Sequence, residues 1–200
     1  MEEDLSMNKY ELLIIGGSAG SLEVILDILP LLRTDLDYAV VLVMHRRSGD
    51  SLLTGILSDK TKLEGKEAEE KEAIRRGIIY IAPADYHLLV EKDKTFSLDY
   101  SEKIHYSRPA IDASFETAAD AYGPHAVGLL LSGANADGAI GLLEIKQAGG
   151  LTLVQDPAEA TVSYMPQQAV ELNAANKILS TSQIIQLLNE LNHSLRPVVK

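Results

Sequence analysis

The chain has 200 residues, 46% of them hydrophobic and 24% charged, with a net charge of −11 and no cysteine. That length and balance fit one α/β-sized domain with a real core; the acidic charge argues against nucleic acid or anionic membrane as partners; the missing thiols exclude disulfides, thiolate metal sites and cysteine nucleophiles. No run approaches the roughly 20 uninterrupted apolar residues of a membrane helix, and the acidic start Met1-Glu2-Glu3-Asp4 is opposite in charge to a signal peptide, so a cytoplasmic protein is expected.

Residues 1–10 read as a flexible lead-in. Glu11 to Ile15 predicts a strand that stops at Gly16-Gly17, followed by a tight turn at Ser18-Ala19-Gly20. Leu22 to Leu29 has apolar residues at helical spacing, and Pro30 with the charged Arg33 to Asp37 stretch ends that helix. Tyr38 to Met44 is a continuous apolar run, the pattern of a strand buried on both faces; it ends at His45. Ser51 to Leu57 predicts a short helix, and residues 60–76 a solvated edge strand with a surface helix or loop. Gly77 to Pro83 is a further strand. Tyr86 to Val90 and Thr95 to Tyr100 flank Glu91-Lys92-Asp93-Lys94 as an antiparallel hairpin, expected at the edge of a parallel sheet.

Ser107-Arg108-Pro109 precedes an amphipathic helix, Ile111 to Tyr122. Ala126 to Leu131 is a third fully apolar strand, running into the loop Ser132 to Gly138 and a helix from Ala139 to Ala148. Gly150 to Gln155 is a strand closed by Asp156-Pro157. Pro166 to Asn173 reads as a helix, Lys177 to Leu179 as a strand, and Thr181 opens a last helix ending near His193. Residues 194–200 are expected to be a tail. Strands alternating with helices predict an α/β fold: a doubly wound, mostly parallel sheet with helices on both faces, forming a single domain over residues 11–193.

The glycine turn admits three readings. Ser18 is an N-cap on an ordinary crossover, or the glycines cradle a phosphate or dinucleotide, or Ser18 is a nucleophile in the pattern G-x-S-x-G. Ser18 and Ser21 stand where the dinucleotide spacing needs glycines, and the phosphate-loop lysine is missing. Open α/β sheets bind ligands outside the carboxyl ends of their strands. Ser18, His45 and the 132–138 loop each follow a buried-looking strand, so they fall on one rim, and Asp137 is the only acid in its loop. A serine, a histidine and an aspartate meeting there are the parts of a hydrolase triad, with Ser18 as nucleophile, His45 as base and Asp137 as the acid that orients it. The Ala19 N–H, at the start of the helix, would face the developing oxyanion, worth about 3 kcal/mol.

Asp156 is the rival to Asp137. Asp112 reads first as an acid at a helix N-terminus. His87 reads as structural in the hairpin, His125 and His193 as surface residues, while His105 and Arg108 either approach the rim or serve the surface. No group of histidines and carboxylates has metal-ligand spacing, so neither a metal nor another cofactor is expected.

Several blocks resemble the chemotaxis receptor methylesterases, the CheB-type catalytic domain. Ile15-Gly16-Gly17-Ser18-Ala19-Gly20 is similar to the family's nucleophile turn, and Val43-Met44-His45 to its segment after strand two. Tyr80-Ile81-Ala82-Pro83, Arg108-Pro109-Ala110-Ile111-Asp112 and Leu131-Ser132-Gly133-Ala134-Asn135-Ala136-Asp137-Gly138 match further blocks, as does Asp156-Pro157 with Met165-Pro166. The resemblance covers residues 11–172 and implies hydrolysis of glutamyl γ-methyl esters on chemoreceptor signalling helices to glutamate and methanol, with deamidation of receptor glutamines as a second reaction. It places Ser18, His45 and Asp137 on the nucleophile, base and acid, and Ala19, Gly20, Ala134 and Met165 around oxyanion and substrate. The family's usual phospho-receiver domain is not matched, so a separate regulatory protein is an expected partner. Ala19 and Ser21, Arg46-Arg47, Ala134-Asn135 and Tyr164 depart from the family pattern around the triad. They motivate the alternative expectation, a catalytically silent homologue that binds receptors or another protein; a nucleotide-binding domain is the third.

Overall fold

In the computed structural model, which describes residues 10–45, 55 and 59–191, the first apolar run forms β1 (Leu12–Gly17), buried at all six positions. Such a strand needs a hydrogen-bonded neighbour on both edges and apolar cover on both faces. It has both. β1 pairs in parallel with β2 (Ala39–Met44) on one side and with β7 (Ala126–Leu130) on the other. The remaining elements are β3 (Glu64–Glu67), β4 (Ile78–Ile81), β5 (His87–Val90), β6 (Phe96–Asp99), β8 (Leu151–Gln155) and β9 (Lys177–Leu179), with helices α1 (Ser21–Ile28), α2 (Ile111–Tyr122), α3 (Ala139–Gln147), α4 (Tyr164–Glu171) and α5 (Thr181–Glu190).

Seven strands form one parallel sheet in the order β3-β4-β2-β1-β7-β8-β9. The expected doubly wound α/β fold is observed. Alternate residues of β1 point to opposite faces, as the strand period requires. Leu13 and Ile15 join a core with Ile25 and Ile28 of α1 and Ile184 and Leu188 of α5. Leu12 and Ile14 join a second core with Ile111 and Phe115 of α2, Leu142 and Ile145 of α3, and Met165 and Ala169 of α4. Each fully buried aliphatic side chain contributes about 1.5–3 kcal/mol of transfer free energy, which holds helices of only 8–12 residues that would be marginal alone.

The hairpin forms, but β5 and β6 make a separate two-stranded sheet rather than an extension of the large one. Its apolar residues lie over α2 and β4: Phe96 meets Tyr80 edge-on at 4.9 Å between centroids, the Ser114 hydroxyl donates to Leu88 O at 2.7 Å and Val90 N donates to Thr117 Oγ1 at 3.0 Å. The helix takes the place that a sheet edge would have offered. β1 runs two residues past its expected end because Gly16 and Gly17 stay in register with Val43 and Met44. The lead-in over 1–9, most of the helix expected at 51–57, and the tail beyond 191 lie outside the described residues.

Candidate active site

The chain leaves β1, runs to strands on one side of it, and returns to β7 on the other side. The crevice outside such a switch point is where open α/β sheets bind ligands. Parallel register delivers the side chains to it. Gly17 is paired with Met44, so the next residues, Ser18 and His45, leave neighbouring strands side by side, and His45 N still donates to Gly17 O at 3.2 Å. On the other flank Leu131 N donates to Gly16 O and Ser18 N to Ser132 O, both at 2.9 Å.

The Ser18 turn is held from below. Gly20 has φ 82°, and a Cβ there would lie 2.6 Å from Thr161 Cβ and 2.8 Å from Ser132 Oγ; left-handed backbone and close approach together require glycine. Ser18 O accepts from Ser21 N at 3.1 Å and from Ser21 Oγ at 2.7 Å. Gly20 is the N-cap of α1, so the simple capping role weighed for Ser18 is not the one observed. The Ser132 hydroxyl donates to Ala19 O at 2.7 Å and accepts from Val162 N at 2.9 Å, stapling the turn to the 161–163 loop. Ser18 and Gly20 are half-buried and Ala19 is exposed.

Asp137 is fully buried. Its Oδ2 accepts from His45 Nε2 at 2.7 Å and from Ile111 N at 2.8 Å, and its Oδ1 accepts from Asp112 N at 2.9 Å. Burial pushes this carboxyl upward, but the His45 hydrogen bond and the two N–H groups at the start of α2 outweigh it and hold Asp137 below the ordinary carboxylate value. Since Nε2 donates to the carboxylate, the neutral ring keeps its lone pair on Nδ1. Among the described residues no hydrogen bond joins the Ser18 hydroxyl to that ring; catalytic hydrogen bonds often close only with substrate in place.

The acid weighed as a helix N-terminal group, Asp112, lies in the first turn of α2 but caps the next helix. Its Oδ1 accepts from Gly138 N at 2.9 Å and from Gly141 N at 2.7 Å, while Asp137 accepts two N–H groups of α2. Two carboxylates thus cap each other's helices. Burial, with the Asp137 charge adding to it and the Gly141 and Gly138 N–H groups opposing it, raises Asp112 to about 6. His105 Nε2 lies 3.4 Å from Asp112 Oδ2. His105, Asp112 and Asp137 each place one side-chain N or O atom within 4.8 Å of the others, a proximity that sequence spacing does not reveal. Three of the four carboxylate oxygens are already occupied by the N–H groups named above, so the group reads as a set of helix caps.

The remaining candidates separate clearly. Ala134 is exposed on the 132–138 loop. Met165 is fully buried against Gly133, with Met165 N donating to Gly133 O at 2.9 Å; it supports that loop from beneath. His87 is 1% exposed, its Nδ1 accepting from Ala110 N at 3.1 Å and its Nε2 donating to Glu102 O at 3.0 Å, a structural histidine. Arg108 stacks on Tyr100 at 3.9 Å and donates to Ser101 O at 2.6 Å. Asp156 accepts from Ala158 N in its own turn at 2.9 Å, while the His45 ring is held by Asp137. The roles of Ser132 and Asp112 were not legible: each acts through partners 26 or more residues away in sequence, although both lie in blocks that the resemblance singled out.

A strand-end serine, a strand-end histidine and a buried aspartate on one rim of a parallel α/β sheet define a candidate serine-hydrolase site. Residues 13–188 match the family model described as CheB methylesterase. The chain belongs to the CheB methylesterase family. It is 44% identical over 186 residues to a putative protein-glutamate methylesterase/protein-glutamine glutaminase of Leptospira interrogans, covering 92% of this chain and 96% of that one. It is 33% identical over 174 residues to the protein-glutamate methylesterase/protein-glutamine glutaminase of Symbiobacterium thermophilum, spanning 48% of that longer protein. Its fold is similar to the crystal structure of the Thermotoga maritima CheB methylesterase catalytic domain, with TM-score 0.86 and 32% identity over 91% of this chain and 98% of that one.

Proposed function

We propose that the protein is a protein-glutamate methylesterase and protein-glutamine glutaminase in which Ser18, His45 and Asp137 act as one unit. The observation that carries this reading is the 2.7 Å bond from His45 Nε2 to a buried Asp137, one strand over from Ser18. Asp137 fixes the ring and stabilises its charged form. Nδ1 takes the Ser18 proton as Oγ attacks the ester carbonyl, and the tetrahedral oxyanion forms near the Ala19 N–H. His45 then returns the proton to the methoxide oxygen, methanol leaves, and an acyl-Ser18 ester remains. Water attacks that ester with the same proton relay, giving free glutamate and restoring Ser18. With a glutamine side chain the leaving group is ammonia.

Chemoreceptors are the substrates that membership of the family implies; methylated signalling helices and a separate regulatory protein are the partners we assign. No helix among the described residues is long and apolar enough to cross a membrane, and the acidic, cysteine-free composition supports a cytoplasmic location. Methanol release from a receptor fragment carrying glutamate γ-methyl esters tests the reading. Ser18→Ala should lower turnover by about 10⁶, and wild-type turnover in that variant would refute Ser18 as nucleophile. Receptor binding with no methanol release by the unaltered protein would instead favour the silent binding module.

A further inference from the structure

The mutual capping of α2 and α3 has no counterpart in the bare triad. Asp137 cannot shift without releasing Ile111 N and Asp112 N, and the loop that carries it enters α3 at Gly138, whose φ of 94° directs its N–H to Asp112 Oδ1. Gly141 N, one turn on, is bound to the same oxygen. Asp112 therefore grips both the residue after Asp137 and the helix behind it, while its own N–H holds Asp137 Oδ1. We infer that Asp112 is a positioning residue for ester hydrolysis: it fixes the loop that presents Asp137 to His45, and its charge reaches the histidine across Asp137. This rests on the triad assigned above.

Among the described residues, few charged groups face Asp112. Asp137 faces it from the loop before α3 and His105 from the turn before α2, with His45 beyond Asp137. Glu116 and Asp120 of α2 and Glu144 of α3 line the groove further along the same two helices. The acids share one sign, so above about pH 6, where Asp112 carries its charge, removing that charge leaves the imidazolium less stabilised.

Two variants separate positioning from mere stability. Asp112→Asn keeps an oxygen for Gly138 N and Gly141 N but loses the charge. Its acid limb of kcat/KM for methanol release should move down by about 0.5–1 pH unit, with kcat on the plateau within about threefold of the unaltered protein. Asp112→Ala loses the acceptor, and kcat should fall about 10–100-fold with KM little changed, measured on the folded fraction by circular dichroism. An unshifted acid limb in Asp112→Asn, or wild-type kcat in folded Asp112→Ala, would overturn the inference. Ser18→Ala run alongside keeps the two readings apart: activity surviving there sinks the triad, whereas a silent Ser18→Ala with an unmoved Asp112→Asn limb sinks the positioning role alone.

Discussion

In the proposed triad one buried carboxylate, Asp137, serves catalysis and folding together. Three N–H groups converge on it, and hydrogen bonds to a charged group contribute more than neutral ones, about 1.5–3 kcal/mol each. Its depressed pKa fixes the sign of the linkage. The stabilisation is present above the ordinary aspartate value of about 4 and is lost as pH falls through the lower folded value. Asp112 has the opposite sign: raised to about 6, its burial costs stability that sets in as pH rises from about 4 through that value. Asp137→Asn should cut kcat by about 10⁴, because an amide facing Nε2 favours the wrong tautomer. It should also lose about 1–3 kcal/mol in urea unfolding at pH 7, a deficit that narrows as pH drops below about 4. A constant deficit from pH 7 to pH 3 would contradict the assigned ionisation.

Among the elements, the short helices divide into those that build the site and those that only cover the sheet. α2 and α3 present their N-termini to each other's carboxylates, and the rim depends on them. α5 instead carries a complete capping box of its own: Gln183 N donates to Ser180 Oγ at 3.3 Å and Ser180 N to Gln183 Oε1 at 2.9 Å. Ser180→Ala should cost about 1 kcal/mol and lower Tm by about 2–4 °C, with kcat and KM for methanol release unchanged. Differential scanning calorimetry with an activity assay on the same sample checks both halves.

For the molecule as a whole, the sheet keeps two cores apart, and only one of them lies beneath α2 and α3. Ile184 belongs to the α1/α5 core and Phe115 to the other, where it packs against Gly16 and Gly141. Ile184→Ala should cost about 2–5 kcal/mol and Phe115→Ala about 3–5 kcal/mol in chemical denaturation. Turnover of the folded fraction at 15 °C should stay at the wild-type level in Ile184→Ala and fall in Phe115→Ala, whose helix supplies the N–H groups that hold Asp137. Equal losses of turnover in both would mean that the rim is sensitive to core packing in general.

The sequence by itself determined the fold class and the rim. Runs such as Tyr38 to Met44 have no polar face, so they had to be central strands, and Ser18, His45 and the 132–138 loop that carries Asp137 each follow directly after one. Those features are short-range: a strand's burial and its carboxyl end are written in consecutive residues. Only the tertiary structure decided that His45 offers Nε2 to the acid, that the hairpin lies over α2 as its own sheet, and that Asp112 caps a helix 26 to 29 residues further on. Such pairings depend on how two helix ends meet across a packed core, and no local spacing encodes that meeting.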